Sequence, residues 1–291
     1  MLLCIKCKSP INLEENNLMC SKCFHKYPIV DGVGVLVSDP TKHLKFIQDK
    51  IEIKKEWYIG NQTLSYDTGP YKVHLQKRIS YVQNVIETYL KNNGIKKNIL
   101  DLGCGDGANL RWLSKYSQDI WATDYNLFRL RRAKKITDEM KISAKFFLVD
   151  ILNLPFENNS FDIIFFNHVI EHINNDLFAL ENIYRITKKG GIVIVGTPNE
   201  GALMWKFAYA IEPRVKKKTD HVNFYTSKSL SNLVLKAGFK IKHIEYMGWG
   251  IPSWSLDRII RKYKIIDDIF EHIGKRVFKN QATSLYMILE K

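Results

Sequence analysis

Four of the chain's cysteines fall in two pairs near its start, Cys4-x2-Cys7 and Cys20-x2-Cys23, with twelve residues between the pairs. Thiolates at this spacing converge tetrahedrally on one Zn²⁺. With four cysteines and no open coordination position, such a site is structural and not catalytic. Bound metal would supply the folding energy that so small a unit cannot obtain by burial. Two disulfides would need an oxidising compartment, and Met1-Leu2-Leu3-Cys4-Ile5-Lys6 shows no signal-peptide core. A redox Cys-x-x-Cys would sit in a thioredoxin-like βαβ unit, which the first forty residues do not suggest. Structural zinc on Cys4, Cys7, Cys20 and Cys23 is therefore the expectation.

A second constellation lies at Asn98-Ile99-Leu100-Asp101-Leu102-Gly103-Cys104-Gly105-Asp106-Gly107. A short apolar run reaches an acidic residue, then glycines alternate. This pattern fits a buried strand that turns sharply beneath a bound ligand, because glycine reaches φ > 0 and its missing Cβ lets backbone touch the ligand. In parallel α/β sheets the ligand lies beyond the carboxyl ends of the strands. Here those ends bear Asp101, Asp124, Asp150 and Asn167. A carboxylate at Asp124, seventeen positions after Gly107, can accept both hydroxyls of a ribose. Asp150 is placed to accept the exocyclic amine of an adenine. One acidic strand end is ordinary cap or turn chemistry, but three in succession make coincidence less probable. A nicotinamide enzyme shares the glycine turn and the second-strand acid. Its fingerprint is GxGxxG, with a pyrophosphate at the helix N-terminus; here the turn is Gly103-x-Gly105-x-Gly107 with the carboxylate of Asp106 inside it, poorly suited to an anion.

The elements that must position these residues follow from the apolar pattern. Strands are expected at Asn98–Leu102, Ile120–Thr123, Lys145–Val149, Phe161–Phe166, Ile192–Gly196, Lys240–Tyr246 and Ser284–Glu290. Helices are expected at Tyr71–Leu90, Ala108–Tyr116, Leu127–Met140, Asp176–Thr187 and Ser229–Ala237. Continuous apolar runs such as Phe161–Phe166 suit strands covered on both faces. The fold class expected is α/β, a doubly wound and mainly parallel sheet preceded by a small zinc ribbon.

Residues 95 to 200 resemble the class I S-adenosylmethionine-dependent methyltransferases. The resemblance rests on the glycine turn with Asp101, on Asp124, on Val149-Asp150-Ile151-Leu152-Asn153-Leu154-Pro155-Phe156, on Ser160-Phe161-Asp162-Ile163-Ile164, and on His168-Val169-Ile170-Glu171-His172-Ile173. It implies a seven-stranded Rossmann-like sheet whose last strand, Ser284–Glu290, runs antiparallel. It also implies S-adenosylmethionine as cofactor, lined by Asp101, Gly103, Cys104, Gly105, Asp124, Tyr125, Asp150, Ile151 and Asn167. Asp101 or the turn's backbone would face the ammonium of the methionine part. The first forty residues, with Tyr27-Pro28-Ile29-Val30-Asp31-Gly32 and Leu36 after the cysteine pairs, resemble a small zinc-ribbon family that activates tRNA, rRNA and protein methyltransferases. That resemblance implies a ribbon packed on the catalytic domain in cis. The domains expected are 1–42 for the ribbon, 43–93 for a linker with N-terminal helices, and 94–291 for the methyltransferase domain, with insertions near 202–225 and 248–283.

Methyl transfer is a direct in-line displacement that needs aligned reactants and excluded water, and a base only where the acceptor must lose a proton. The base candidates are His221, His172 and Tyr225. His221 leads, since Asp220-His221-Val222-Asn223-Phe224-Tyr225-Thr226 occupies a segment that borders the acceptor in similar enzymes. The Asn/Asp-Pro-Pro-aromatic motif of amino-methylating nucleic-acid enzymes is replaced by Asn167-His168-Val169-Ile170, which disfavours exocyclic base methylation. The two insertions read as amphipathic helices packing on the core, with a lid or a lipid, polyphosphate or RNA surface as the rival. The expected function is O-methylation of a small-molecule, sugar or lipid-linked acceptor. An rRNA or tRNA methyltransferase and a non-catalytic cofactor-binding scaffold are the alternatives. The net charge of +14 is equally compatible with an acidic partner, RNA or an anionic membrane surface, and with composition alone. No apolar run is long enough for a membrane span, so a cytoplasmic chain touching membranes at most peripherally is expected.

Overall fold

The computed structural model describes residues 2–14, 17–41, 43, 45, 47, 68–94, 97–118, 120–213, 221–251 and 253–291. Most of the first part of the expected linker, residues 44, 46 and 48–67, and residues 214–220 of the first expected insertion lie outside them. Two compact units divide the chain. The first holds Met1–Thr63, Asn93–Phe165 and Asn182–Gly191; the second holds Leu64–Asn92, Phe166–Glu181 and Ile192–Lys291.

In the first unit four short strands, β1 (Ile11–Glu14), β2 (Asn17–Cys20), β3 (Lys26–Val30) and β4 (Val33–Leu36), form an antiparallel ladder. β4 then pairs in parallel with β7 (Ala144–Val149), followed by β6 (Ile120–Asp124), β5 (Ile99–Leu102) and β8 (Phe161–Asn167). The cysteine-bearing hairpins therefore continue into the parallel sheet. Gly34 makes this join close, because a Cβ there would stand 2.7 Å from the Phe147 ring and 2.8 Å from Leu18. β5 is buried along its whole length, Asp101 included, as its apolar residues Ile99, Leu100 and Leu102 require. Aromatic rings fill the space beside it: Trp121 stacks on Phe147 at 5.3 Å, and Phe156 meets Phe161 edge to face at 5.0 Å. Of the helices, α1 (Lys72–Asn93) belongs almost wholly to the second unit, whereas α2 (Leu110–Leu113) and α3 (Leu127–Glu139) belong to the first. The Asn126 side chain caps α3 by accepting from the Phe128 and Arg129 amides.

Two expectations change. The helix predicted over Ala108–Tyr116 contracts to the four residues of α2, flanked by turns in which Leu110 N–H donates to Gly107 O and Tyr116 N–H to Leu113 O. These three-residue closures tighten the chain and leave Leu110 and Leu113 fully buried. After α4 (Asp176–Ile186), the Lys188-Lys189-Gly190-Gly191 segment is already strand, ahead of the start expected at Ile192. It begins β9 (Thr187–Pro198). Gly191 permits this, since a Cβ would sit 3.0 Å from Asp162 O, and Lys188 Nζ bonds Asp162 Oδ2 at 2.7 Å.

In the second unit β11 (Ser284–Glu290) lies antiparallel between β9 and β10 (Lys240–Met247), with Tyr286 opposite Gly196 on one side and Glu245 on the other. Seven strands, β5 to β11, thus follow residue 94. The helices of this unit are α5 (Leu203–Ile211), α6 (Ser227–Lys236), α7 (Trp254–Ile260) and α8 (Lys264–Val277). Thr226 and Ser229 close a capping box at the start of α6. Lys77 of α1 reaches Asp267, Asp268 and Glu271 of α8 at 2.6–2.7 Å. The insertion helices do not bury all their apolar residues. Leu203, Phe207 and Ile211 on α5, and Ile265, Ile269, Ile273 and Val277 on α8, stand 47–75% exposed at four-residue spacing. Each set therefore forms a stripe along one helix face. Among the described residues no helix is long and apolar enough to cross a membrane.

Candidate active site

The turn after β5 takes the left-handed backbone expected, with φ of +84° at Gly103, +54° at Gly105 and +79° at Gly107. Gly103 and Cys104 amides both donate to Thr123 O, at 2.8 and 2.9 Å, which folds the turn back onto β6. Asp124, at the tip of β6, accepts from the Gly105 amide at Oδ2 and from the Asn126 amide at Oδ1, both at 2.8 Å. Each oxygen keeps a lone pair, so the fixed carboxylate can still accept a diol. Asp150 ends β7 and caps the next turn by accepting from Leu152 N at 2.9 Å; Ile151 opens that turn.

Asp101 is 1% exposed, and its Oδ2 has no hydrogen-bond partner among the described residues. Burial, and next the charge of Asp124, push its carboxyl up to about 8. A buried acid beside another acid, with an orphaned oxygen, fits a cationic ligand group such as an ammonium. The glycine turn, Asp124 and Asp101 thus fit S-adenosylmethionine. Cys104 is buried, and burial pushes its thiol well above the ordinary range, so it is an inert packing residue here. Asp106 does not face a ligand. It is 3% exposed and held by Arg129 at 3.4 Å and Arg132 at 2.6 Å, so its charge is no argument against a pyrophosphate. Gly105 makes room for this pair, since a Cβ would meet the Arg129 guanidinium at 2.7 Å. Tyr125 is 39% exposed and packs edge to face on His43 at 4.1 Å. The sequence places His43 only in the linker; it is buried, and burial holds its ring below the ordinary value. Nothing in the local pattern marks it.

The four N-terminal thiols gather: their sulfurs all lie within 4.8 Å of one another, with Cys4–Cys23 at 3.6 Å and Cys7–Cys20 at 3.4 Å. Tetrahedral zinc with Zn–S of about 2.3 Å needs sulfurs about 3.8 Å apart, so the set fits zinc. Lys8 and Phe24, each just after its pair, share a left-handed φ of 57° and 56°. Their amides return to Cys4 O and Cys20 O, giving two matched knuckles. Tyr27 OH lies 3.1 Å from Cys4 Sγ and accepts from Ile5 N, an outer-shell support. The same hairpins hold the segment after Asp150: Leu3 N donates to Pro155 O at 2.8 Å, and Lys8 Nζ donates to Asn153 Oδ1 at 2.6 Å.

In the second unit, Asn167 ends β8 beside Gly196, where a Cβ would collide with its Oδ1. His168 follows with φ +55°, an uncommon conformation for histidine. Its Nε2 lies 3.2 Å from Arg78 Nη1 and its Nδ1 3.1 Å from Glu171 Oε1. Arg78 can only donate, so Nε2 accepts and Nδ1–H donates. Glu171 is 1% exposed and also accepts from Thr197 Oγ1 at 3.1 Å. Burial raises its carboxyl, yet the hydrogen bond from His168 and then the neighbouring imidazoles outweigh it and hold it below the usual range. The rings of His172 and His221 meet edge to face at 5.1 Å, and His221 Nδ1 lies 3.1 Å from Glu200 Oε1. Tyr209 OH donates to the same carboxylate at 2.7 Å. His172 and His221 are thus brought together. Tyr225 is not suited to proton abstraction: its hydroxyl donates to Asp176 at 2.6 Å, and burial followed by that carboxylate pushes its pKa far up. A cavity of about 270 Å³ in this unit is lined by Tyr71, His74, Arg78, His168, Trp205 and Arg261, among others.

A family profile described as "Methyltransferase domain" matches residues 74–244. An uncharacterized protein of Methanocaldococcus jannaschii is 30% identical over 71% of this chain and 84% of its own length. A demethylmenaquinone methyltransferase of Staphylococcus aureus is 29% identical over 62% of this chain and 86% of its own length. Several other curated relatives are matched over only 32–60% of their own length. A solved S-adenosylmethionine-dependent methyltransferase of Thermotoga maritima superposes with a TM-score of 0.52 over 84% of this chain and 99% of that one, at 18% identity, a likeness of fold. The glycine turn, the held acid on β6 and the profile match agree: the chain belongs to the class I methyltransferase family and is an S-adenosylmethionine-dependent methyltransferase with the Rossmann-like α/β fold of that family.

Proposed function

We propose that this methyltransferase methylates a hydroxyl oxygen on a small-molecule, sugar or lipid-linked acceptor. The cofactor supplies a methyl group on a cationic sulfur that is already a good leaving group. In this reading Asp124 binds the ribose hydroxyls, Asp150 the adenine amine and Asp101 the ammonium, while Gly103, Cys104 and Gly105 offer backbone without side-chain obstruction. Tyr125 and Ile151 cover the adenosine, and Asn167 borders the methionine part. Zinc on Cys4, Cys7, Cys20 and Cys23 holds the ribbon, and reduced thiols of that kind suit the cytoplasm.

One observation carries the choice of oxygen. Glu200 fixes the tautomer of His221 through Nδ1, which leaves the Nε2 lone pair available next to His172. A hydroxyl must lose its proton to become a competent nucleophile, and in this reading the two imidazoles, with Glu171 beside them, are the groups that assist that loss. The exposed apolar stripes of α5 and α8 support a lipid-linked acceptor over a fully polar one. The name of the Staphylococcus aureus relative, which carries a lipid quinone, agrees with the lipid character of the acceptor and does not bear on the atom methylated. No specific observation favours an RNA acceptor.

The test is incubation with cofactor labelled in the methyl group and a fractionated cell extract. Label should enter lipid or small-molecule fractions in a linkage that resists base hydrolysis, as a methyl ether does. Label confined to RNA or to protein side chains would remove the proposal.

A further inference from the structure

Glu171, His172 and His221 each present one donor atom, and these atoms all lie within 4.8 Å of one another. Two of the three residues flank each other in sequence, and the third arrives from a loop about fifty residues later. That loop is tied to the same spot, because the Val222 and Asn223 amides both donate to the Glu171 carbonyl, at 2.8 and 3.1 Å. The Glu171 carboxylate is buried, whereas both imidazoles keep partial access to solvent. Orienting partners stand behind two of the donors. Glu200 fixes His221, and Tyr209 fixes Glu200. Thr197 and His168 hold the two oxygens of Glu171, each of which retains a lone pair. A carboxylate–histidine pair behind a ligating ring is the usual outer shell of a metal site.

We propose that Glu171, His172 and His221 bind a divalent first-row cation, with positions left open for the acceptor's hydroxyl oxygen. Two imidazoles and one carboxylate suit Zn²⁺, Fe²⁺ or Mn²⁺, and three protein ligands are the number that leaves a catalytic position free. The inference rests on the O-methylation reading and specifies how the hydroxyl is activated. Coordination lowers the pKa of the bound hydroxyl, whose proton passes to solvent water. The oxygen's electron pair then forms the new bond to the methyl carbon, the carbon–sulfur bond breaks, and its pair stays on sulfur as a neutral thioether. His172 and His221 act here as ligands, not as free bases.

The test uses the full chain carrying one zinc per chain by metal analysis, so that the cysteine site is filled and the second site is open, titrated with Mn²⁺ and followed by the loss of the free-ion paramagnetic resonance signal. The wild-type protein should bind one Mn²⁺ per chain. His172→Ala and His221→Ala should each weaken it by more than about tenfold, and Glu200→Gln, which only loosens an orienting bond, by about ten- to a hundredfold. Calorimetry with S-adenosylmethionine on the same variants reports folding separately and should show unchanged cofactor affinity. Cofactor binding by the wild type without any Mn²⁺ binding would overturn the metal site and leave the methyltransferase reading intact. Mn²⁺ binding that the three variants retain in full would place the ion elsewhere and equally overturn it.

Discussion

Replacing Asp101 by asparagine gives the sharpest test of the cofactor cradle. Asp101 is buried, one of its oxygens lacks a partner among the described residues, and burial with the Asp124 charge pushes its carboxyl up to about 8. In the unfolded chain the same group titrates near 4. The folded state therefore holds a proton that the unfolded state has lost, and stability falls as pH rises through that window. The expected slope is about 1.4 kcal/mol per pH unit well below the folded value and halves at it, which amounts to about 2 kcal/mol between pH 6 and 8, and it levels off above the folded value. An asparagine side chain cannot ionise, so the Asp101→Asn variant should lack this slope. Urea unfolding of both proteins at intervals from pH 5 to 8.5 measures the difference, in which groups common to both cancel. The variant should gain on the wild type as pH rises. S-adenosylmethionine, whose ammonium favours the ionised acid, should restore wild-type stability at pH 8, and its binding near pH 7 should release a proton. Parallel stability curves for the two proteins would refute the reasoning.

Three further outcomes follow from the geometry. Stripping zinc with a chelator should unfold the hairpins and, because Leu3 and Lys8 hold the segment after Asp150, weaken cofactor affinity; calorimetry showing equal affinity with and without metal would contradict this. Gly105→Ala must place a side chain at φ +54° against Arg129, so urea unfolding should show a loss of about 1–3 kcal/mol; an unchanged midpoint would count against the turn geometry. Tyr225→Phe removes the donor to Asp176 and should lower stability by about 1–3 kcal/mol while leaving turnover within a few-fold; a loss of turnover by about a hundredfold or more would return Tyr225 to a catalytic role.

The parts of this fold that local chemistry dictates were legible in the sequence. The β5 strand and its turn follow from an apolar run broken only by Asp101 and from glycines that alone adopt positive φ without cost, and the antiparallel Ser284–Glu290 strand appears with the bounds expected. The Cys-x2-Cys pairs likewise encode their convergence in four residues each. What escaped was set by distant partners. Asp106 reads as a ligand-facing acid until Arg129 and Arg132, more than twenty residues on, are seen to hold it. β4 reads as the tail of a ribbon, and only its parallel pairing with β7 makes it part of the sheet. The grouping of Glu171 with His221 depends on loop bonds from Val222 and Asn223, for which the sequence offers no periodic signal. The amphipathic insertions read as helices that bury their apolar faces, and α8 instead leaves a four-residue stripe in the open. Periodicity identifies such a face without indicating what covers it.

The claim on which the rest depends is that acids at successive strand tips bind the methyl donor. Titration of the zinc-loaded chain with S-adenosylmethionine in a calorimeter tests it most directly, with Asp124→Ala alongside. The wild type should bind one cofactor per chain, and the variant, having lost two charge-assisted hydrogen bonds to the ribose, should bind at least about a hundredfold more weakly. Equal affinity for the two proteins, or a wild type that ignores S-adenosylmethionine and takes a nicotinamide dinucleotide instead, would contradict the account.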